Sequence, residues 1–329
     1  NIGGLYFRNG IFSFDDFKLK IETKHGSWTD IPLIDAGFEE DVDSVNKVWK
    51  SFFKRPGFTQ KIISIKAPEG KNYLQITGKD IAVSIQYGNN SAAGKYINVN
   101  GIKLYYEIYG MGEPLLLLHG NRSPIVTFSN QIPEFAKHFK VIAVDTRGQG
   151  KSTEDGKKYT YDLFAEDMNA FLDSLKLDSV NILGWSDGGN TGLIMAMRYP
   201  NKVKRLVTMG ADVFIDTSVV ANWVFKEVKK QLKEFKKDTS YNSRNNYRLA
   251  DILITEPQHT FSELHAIKCP VLVMAGEDDI IKPGHTKGIA ANIPNSTLMI
   301  VPKETHYLPE QKPALFNKLV IDFLEKPIN

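Results

Sequence analysis

The chain has 329 residues, of which 42% are hydrophobic and 24% charged, so it holds ample apolar material for a folded core. Its 41 basic and 38 acidic residues give a net charge of only +3, and no basic block is interleaved with aromatic residues, so a nucleic-acid partner is not expected. The single cysteine, Cys269, excludes an internal disulfide and a cysteine-based metal site, and the sequence predicts no membrane span.

The first 90 residues carry the alternating pattern that is typical of β-strands. Period-2 segments separated by Gly, Asn and Asp stand at residues 11–14, 17–21, 61–65 and 81–85. Only residues 42–53 favour a helix. The pattern predicts a β-rich domain.

Two segments of this region resemble galactose-binding-like β-sandwich modules. Residues 5–19 are similar to the closing strands of such a module, whereas Gly37-Phe38-Glu39 with Trp49 is similar to its opening. The resemblance implies carbohydrate binding, although packing against the rest of the chain and association stay open. It also favours a periplasmic or secreted location over the cytoplasm. Because the first residue is Asn1 rather than Met, a targeting segment removed before this numbering is an open alternative.

A Gly-Asn-Asn-Ser-Ala-Ala-Gly stretch at residues 88–94 predicts a linker. The chain is therefore expected to divide into a β-rich domain with its linker over residues 1–94 and a second domain over residues 95–329. Asn100-Gly101 predicts a hairpin turn between the first two strands of the second domain. Six further strands are expected at residues 115–118, 141–144, 180–183, 203–209, 271–275 and 297–301.

Helical spacing fills the gaps between these strands, which is typical of a largely parallel sheet covered by helices. The clearest helical segments are residues 161–175, 189–199 and 313–324. Residues 212–260 interrupt the alternation with polar, helical sequence. Within them, the basic run Lys226 to Lys237 is predicted to be the solvated face of an amphipathic helix.

Gly184-Trp185-Ser186-Asp187-Gly188 is a Gly-x-Ser-x-Gly motif that lies between a predicted strand and a predicted helix. A serine at such a turn is exposed on a strained backbone at the edge of the sheet, and the flanking glycines relieve the crowding. The helix N-terminus also directs backbone N–H groups at a developing oxyanion. Ser186 is therefore the predicted nucleophile.

A serine hydroxyl needs a general base, and the base needs an acid that orients it. Both are expected after Ser186, in the order acid then histidine. Asp278 and Asp279 follow one strand and His306 follows the next, so each lies just past the carboxyl end of a strand. The order predicts a Ser-Asp-His triad in which either aspartate can be the acid.

His119-Gly120-Asn121-Arg122 directly follows the strand at residues 115–118. A tight turn there can aim the backbone N–H of Asn121 at a substrate carbonyl oxygen, with the N–H of Asp187 as the second donor. These two groups form the predicted oxyanion hole. His119 is predicted to brace the turn rather than to act in catalysis.

Together these segments, with Asp145-Thr146-Arg147-Gly148-Gln149-Gly150-Lys151-Ser152, resemble the α/β-hydrolase family in its small esterase-like branch. The resemblance covers residues 96–329. It implies the α/β-hydrolase fold, a helical cap at about residues 212–260 and, from the family pattern Gly-x-x-Asp, Asp279 as the acid. Arg122 departs from the family, which often has glycine there, so contact with an acidic or oxygen-rich substrate and exposure to solvent both stay open.

Further predictions concern polar and aromatic side chains near this set. Arg122, Trp185 and the cap residue Trp223 are predicted substrate contacts. Asp145 and Arg147 are predicted to form an ion pair that fixes the loop after them. The histidines form no metal-binding pattern and the glycines no phosphate-binding or dinucleotide-binding pattern, so neither a metal nor a cofactor is expected.

The predicted function is that of a carboxylic-ester hydrolase, a serine esterase or lactonase, which cleaves a small-molecule substrate through an acyl-enzyme. A serine in the motif argues against haloalkane dehalogenases and epoxide hydrolases, whose relatives use aspartate there. It does not separate esterases from thioesterases or C–C bond hydrolases. A ligand receptor that retains an idle triad is a further alternative.

Overall fold

The computed structural model describes residues 10–14, 18–22, 28–32, 58–63, 73–78 and 86–327. The chain forms two compact units, Asn1–Ile85 and Gln86–Asn329. Among the described residues, no helix is long and apolar enough to cross a membrane.

The described part of the first unit consists of five short strands. β1 pairs antiparallel with β5, which pairs antiparallel with β4, and β2 and β3 form a separate hairpin. The strands are β1 (Gly10–Phe14), β2 (Lys18–Glu22), β3 (Trp28–Pro32), β4 (Phe58–Ile63) and β5 (Tyr73–Gly78).

These strands agree with three of the four strands predicted here from alternation, while β3 and β5 were not predicted. The predicted helix at residues 42–53, the strand at 81–85 and the segments Gly37 to Glu39 and Trp49 lie outside the described residues. Nothing in the five strands shows a galactose-binding-like module, and glycan binding stays a prediction.

The second unit contains an eight-stranded sheet with the strand order β13-β12-β11-β10-β8-β9-β7-β6. β7 alone runs opposite to the other seven strands, so the predicted α/β-hydrolase fold with a mostly parallel sheet is confirmed. The strands are β6 (Gly94–Val99), β7 (Ile102–Tyr109), β8 (Pro114–Leu118), β9 (Lys140–Val144), β10 (Val180–Trp185), β11 (Val203–Met209), β12 (Val271–Asp278) and β13 (Ser296–Thr305).

Helices cover both faces of this sheet. The helices of this unit are α1 (Ile132–Phe135), α2 (Tyr161–Ser174), α3 (Asp187–Arg198), α4 (Asn222–Phe235), α5 (Tyr241–Thr255), α6 (Pro283–Ala291), α7 (Leu308–Gln311) and α8 (Pro313–Leu324). Short 3-10 turns lie at Ile125–Phe128, Pro200–Lys202 and Phe261–Ala266. The hairpin turn at Asn100-Gly101 is confirmed, with φ of 45° and 80°.

The core lies on both sides of the sheet, since successive side chains of a strand point to opposite faces. In β8, Leu116 and Leu118 join the cluster under α2 and α3, whereas Leu115 and Leu117 join the cluster under α8. All four leucines are fully buried. Because both faces of β8 are buried, its sequence is a continuous apolar run and does not alternate between apolar and polar residues.

The interruption predicted at residues 212–260 forms helices α4 and α5, which we call the cap. Phe214 and Gln258 pair where the chain enters and leaves it. Asn245 of α5 accepts a hydrogen bond from the Tyr159 hydroxyl and donates one to the carbonyl of Gly148, at 2.5 and 2.6 Å. The cap is thus fastened to the loop that follows β9. The lysines of α4 are exposed, as predicted for the basic run.

The predicted linker is instead bound to the second unit through a buried carboxylate. Glu107 of β7 is fully buried and accepts hydrogen bonds from the backbone N–H groups of Gly88 and Asn90, at 2.7 and 2.8 Å. The hydroxyls of Tyr105 and Tyr109 donate the other two, at 2.6 and 2.8 Å. Four donors satisfy the charge that the surrounding apolar residues would otherwise destabilise.

The predicted ion pair between Asp145 and Arg147 is wrong. The guanidinium of Arg147 is fully buried and binds Asp167 with two bonds of 2.6 and 2.7 Å, and Asp155 at 2.8 Å. Asp145 instead accepts the backbone N–H groups of Ile125 and Lys151. The short sequence separation was misleading, because Arg147 reaches across to α2 while Asp145 fixes two loops.

The fold predicts that replacing a buried and an exposed aspartate by asparagine changes the free energy of unfolding by very different amounts. Asp167→Asn removes half of a fully buried, doubly bonded ion pair and should lower the free energy of unfolding by about 3–5 kcal/mol. Asp322→Asn breaks an exposed pair with Lys318 and should change it by less than about 0.5 kcal/mol. Urea denaturation measures both. Equal effects would contradict the assigned role of Arg147.

Candidate active site

Ser186 lies at the sharp turn between β10 and α3, where its backbone has φ 56° and ψ −121°. This conformation is strained for a residue with a side chain. The two motif glycines permit it, because a β-carbon at Gly184 would lie 2.2 Å from the Gly188 carbonyl oxygen. A β-carbon at Gly188 would lie 2.0 Å from the Leu118 carbonyl oxygen. The crowding predicted from the motif is therefore present.

Ser186 and His306 both lie against the corner at which β11 ends. The backbone N–H of Ser186 donates to the carbonyl of Met209 at 2.8 Å. The next residue, Gly210, has φ +62°, and a β-carbon there would stand 2.6 Å from Nδ1 of His306. The absence of a side chain at Gly210 thus makes room for the imidazole at this corner.

His306 is oriented by Asp279. Its Nδ1 donates to Asp279 Oδ1 at 2.7 Å, and both side chains are almost completely buried. The same oxygen also accepts the backbone N–H of Ile281 at 2.9 Å. Asp278 is exposed at the end of β12. Of the two predicted acids, the structure brings Asp279 to the imidazole, which fixes the tautomer that leaves the Nε2 lone pair free.

Trp185 supports this arrangement from the buried side. Its indole N–H donates to the backbone carbonyl of His306 at 2.9 Å, and its ring packs against His306 and Tyr307. Trp223 lies on the first turn of α4 and is 60% exposed. No hydrogen bond or ring contact among the described residues joins Trp223 to Ser186 or His306. Substrate contacts by the two tryptophans stay predictions.

The loop after β8 approaches the serine closely. A β-carbon at Gly120 would lie 3.2 Å from the Ser186 β-carbon and 3.9 Å from its Oγ. Among the described residues, the backbone N–H groups of Asn121 and Asp187 have no hydrogen-bond acceptor. Unpaired N–H groups are what the predicted oxyanion hole requires, and the hole itself stays a prediction.

The residue after the serine, Asp187, has a buried carboxylate. Asp187 is 3% exposed, and burial raises the pKa of its carboxyl to about 6 although Asn121 and Tyr161 donate hydrogen bonds to it. Asp212, which is hydrogen-bonded to Asn190, has a pKa raised well above the usual range by burial and then by the charge of Asp187. Sequence reasoning missed the Tyr161 and Asp212 contacts, since neither residue belongs to the motif.

His119 and Arg122 flank the oxyanion loop. His119 Nδ1 donates to the Gly120 carbonyl at 2.7 Å, and its Nε2 accepts the N–H of Thr146 at 3.0 Å. Burial lowers its pKa to about 4, so the ring is neutral and braces the turn, as predicted. Arg122 is exposed at φ 52° and donates to the side chains of Asn121 and Gln231, the latter on the cap.

Among the described residues, no group of three or more His, Cys, Asp or Glu side chains could hold a metal ion. Cys269 is buried, and burial raises the pKa of its thiol to about 11. The polar groups at the carboxyl edge of the sheet include a serine hydroxyl, an imidazole, carboxylates and backbone N–H groups.

Comparison with known proteins agrees with the fold. Residues 113–238 match the family model described as the alpha/beta hydrolase fold. The serine hydrolase BPHL of Homo sapiens is 30% identical over 259 residues, 73% of this chain and 88% of the relative. A 2-hydroxy-6-oxo-6-(2'-aminophenyl)hexa-2,4-dienoic acid hydrolase of Metapseudomonas resinovorans is 27% identical, over 70% of this chain and 91% of the relative. The enol-lactonase structure from Burkholderia xenovorans LB400 superposes with a TM-score of 0.59 at 22% identity, over 70% of this chain and all of that one.

Because Gly210 lies against His306, we expect a methyl group added at position 210 to displace the His306 imidazole. Gly210→Ala should lower the free energy of unfolding by about 1–2 kcal/mol, the cost of a side chain in left-handed backbone. It should also move or abolish the downfield proton NMR signal of the hydrogen bond between His306 and Asp279. Gly156→Ala, where the backbone is also left-handed at φ +83° and a β-carbon has no neighbour within 4 Å, is the matched control and should leave that signal unchanged. An unaltered signal in Gly210→Ala would refute the contact.

Proposed function

This chain belongs to the α/β-hydrolase family, and from that premise we propose that it is a serine hydrolase that cleaves a carboxylic ester or a lactone. The observation that carries the proposal is the convergence at the end of β11, where Ser186 and His306 meet the same corner. Asp279 stands behind the imidazole at 2.7 Å. A serine nucleophile, an imidazole base and an acid that orients the imidazole are the three groups that this mechanism of acyl transfer uses.

The first half of the reaction forms an acyl-enzyme. His306 accepts the Ser186 hydroxyl proton at Nε2 while Oγ attacks the substrate carbonyl carbon, and the carbonyl oxygen becomes an oxyanion. Asp279 stabilises the resulting imidazolium and keeps its Nδ1 proton in place. Collapse of the tetrahedral intermediate expels the alkoxide, which takes the proton from His306. A lactone reacts identically, except that its alkoxide stays attached to the acyl group.

The second half releases the acid. His306 takes a proton from water, the hydroxide oxygen attacks the acyl carbon, and Ser186 leaves with the proton that His306 returns. In both halves the unpaired N–H groups of Asn121 and Asp187 supply the two donors to the oxyanion. One such donor contributes about 10²–10³ in rate in a comparable enzyme site.

Similarity to other proteins supports hydrolysis and leaves the scissile bond to be assigned. The human relative at 30% identity is named a serine hydrolase, and the enol-lactonase shares the fold. We favour an oxygen ester or lactone as the substrate because its alkoxide leaves with the proton that His306 carries, so the groups named above suffice for the reaction. A thioester would use the same groups and belongs to the same substrate screen.

Replacement of the nucleophile tests the mechanism. Ser186→Ala should lower p-nitrophenyl acetate hydrolysis by at least about 10³-fold, because the triad acts as a unit. A fluorophosphonate probe should label the wild type and not the variant. Wild-type hydrolysis rates in Ser186→Ala would refute the proposal, and poor labelling of the wild type would indicate a receptor with an idle triad.

Hydrolysis of a carbon–carbon bond is the second candidate, because a relative 27% identical over 263 residues is named for a 6-oxo-hexadienoic acid substrate. The two candidates share Ser186, His306 and Asp279 and differ only in the leaving group. The described residues contain no contact that singles out a carbon leaving group, so we rank this candidate second.

A direct comparison of substrates separates these candidates. We expect kcat/KM for a panel of short acyl esters and lactones to exceed that for a 2-hydroxy-6-oxo-hexa-2,4-dienoate by at least about 100-fold, or about 2.7 kcal/mol in transition-state stabilisation. Loss of the dienoate absorbance measures one reaction and release of acid measures the other. The reverse ratio would assign the chain to carbon–carbon hydrolysis.

A further inference from the structure

The two donors of the proposed oxyanion hole belong to residues whose side chains are bonded to each other. Asn121 Nδ2 donates to Asp187 Oδ2 at 2.9 Å, although 66 positions separate the two in sequence. The second Nδ2 proton goes to the carbonyl of Leu249 on α5 at 2.8 Å. Both donors of the Asn121 amide are therefore used inside the protein.

The other oxygen of the Asp187 carboxylate also accepts a hydrogen bond. The Tyr161 hydroxyl donates to Oδ1 at 2.8 Å, and Tyr161 is only 2% exposed at the start of α2. Burial raises the pKa of Tyr161 well above its usual value, so its hydroxyl keeps the proton that it donates. With one oxygen on Tyr161 and the other on Asn121, the carboxylate bridges α2 and the oxyanion loop.

The backbone N–H groups of Asn121 and Asp187 lie on separate elements, the loop after β8 and the first residue of α3. An oxyanion is stabilised only if both lie about 2.7–3.1 Å from the same oxygen. A misplacement of about 1 Å can cost about 10²-fold in rate. The structure shows one direct side-chain bond across this gap among the described residues, from Asn121 to Asp187.

We propose that Asn121 is a positioning residue whose side chain clamps the two oxyanion donors at their working separation, with Asp187 and Tyr161 as the fixed end of the clamp. The bond to Leu249 makes the cap a part of it, so that the oxyanion hole is complete only with α5 in place. The proposal rests on the proposed serine hydrolase function. It assigns Asp187 to the protein's own hydrogen bonds rather than to the substrate.

A reversal of the donor and the acceptor tests the clamp. Asn121→Asp places two carboxylates together and should lower kcat for p-nitrophenyl acetate by about 10²-fold or more with KM changed less than about threefold. Asp187→Asn should also lower kcat. In the double variant, the amide introduced at position 187 can donate to the carboxylate introduced at position 121 and still accept from Tyr161. The activity of the double variant should therefore exceed the product of the two single effects by at least about tenfold. It should stay below that of the wild type, because a carboxylate at position 121 cannot donate to the Leu249 carbonyl.

The matched control is the exposed bond between Asn169 and Asp173 on α2, which has the same chemistry away from the site. Its reversed double variant, Asn169→Asp with Asp173→Asn, should leave kcat unchanged and show no coupling. The inhibition constant of phenylboronic acid, which forms a tetrahedral adduct with a serine, should rise in parallel with the loss of kcat. Thermal unfolding shows whether each variant is folded.

Multiplicative single effects, or a change in KM alone, would overturn the clamp. Where Asn121→Asp fails to fold, Asn121→Ala decides instead: a loss in kcat with unchanged KM supports the proposal, and an unchanged kcat overturns it. Failure of the proposed function is a separate result, since it appears as hydrolysis that survives Ser186→Ala.

Discussion

The strained backbone of Ser186 is the constraint on which the rest of the site depends. A side chain at φ 56° costs of order 1–3 kcal/mol, and the surrounding packing has to make any relaxed alternative worse. Two glycines crowded against carbonyl oxygens and a hydrogen bond to Met209 do so. The contact between Gly188 and Leu118 requires β8 on one side of β10, and the hydrogen bond to Met209 requires β11 on the other. The strained turn at Ser186 is therefore held in place only because β10 has a neighbouring strand on each side.

The buried charged groups around the serine are stabilised by hydrogen bonds from several parts of the chain. A buried charge is tolerated only when several donors surround it. Asp145 and Asp187 have two donors each, and Arg147 is shared between two carboxylates. These groups hold loops from different strands at one edge of the sheet. Buried polar contacts thus fix the loops around Ser186, and these loops need no regular secondary structure.

The sequence alone predicts the parallel strands, the principal helices and the set Ser186, Asp279 and His306, because apolar runs and motif glycines are local signals. It fails where a partner is chosen in three dimensions. Arg147 binds Asp167 instead of its neighbour Asp145, and Trp185 supports a carbonyl 121 positions away. A sequence motif indicates which residue types a turn tolerates. Only the packing of distant elements decides which of many carboxylates or carbonyls a donor meets.

The buried carboxylate of Glu107 has a consequence for how the chain can be divided. Two of its four donors are backbone N–H groups of residues 88 and 90, so the segment from Gln86 to Gly94 is a structural part of the second unit. A fragment that began at residue 95 would leave half of that charge unsolvated inside the protein. The smallest independent hydrolase piece therefore starts at Gln86, and a protease site or fusion joint that spares the fold has to lie before it.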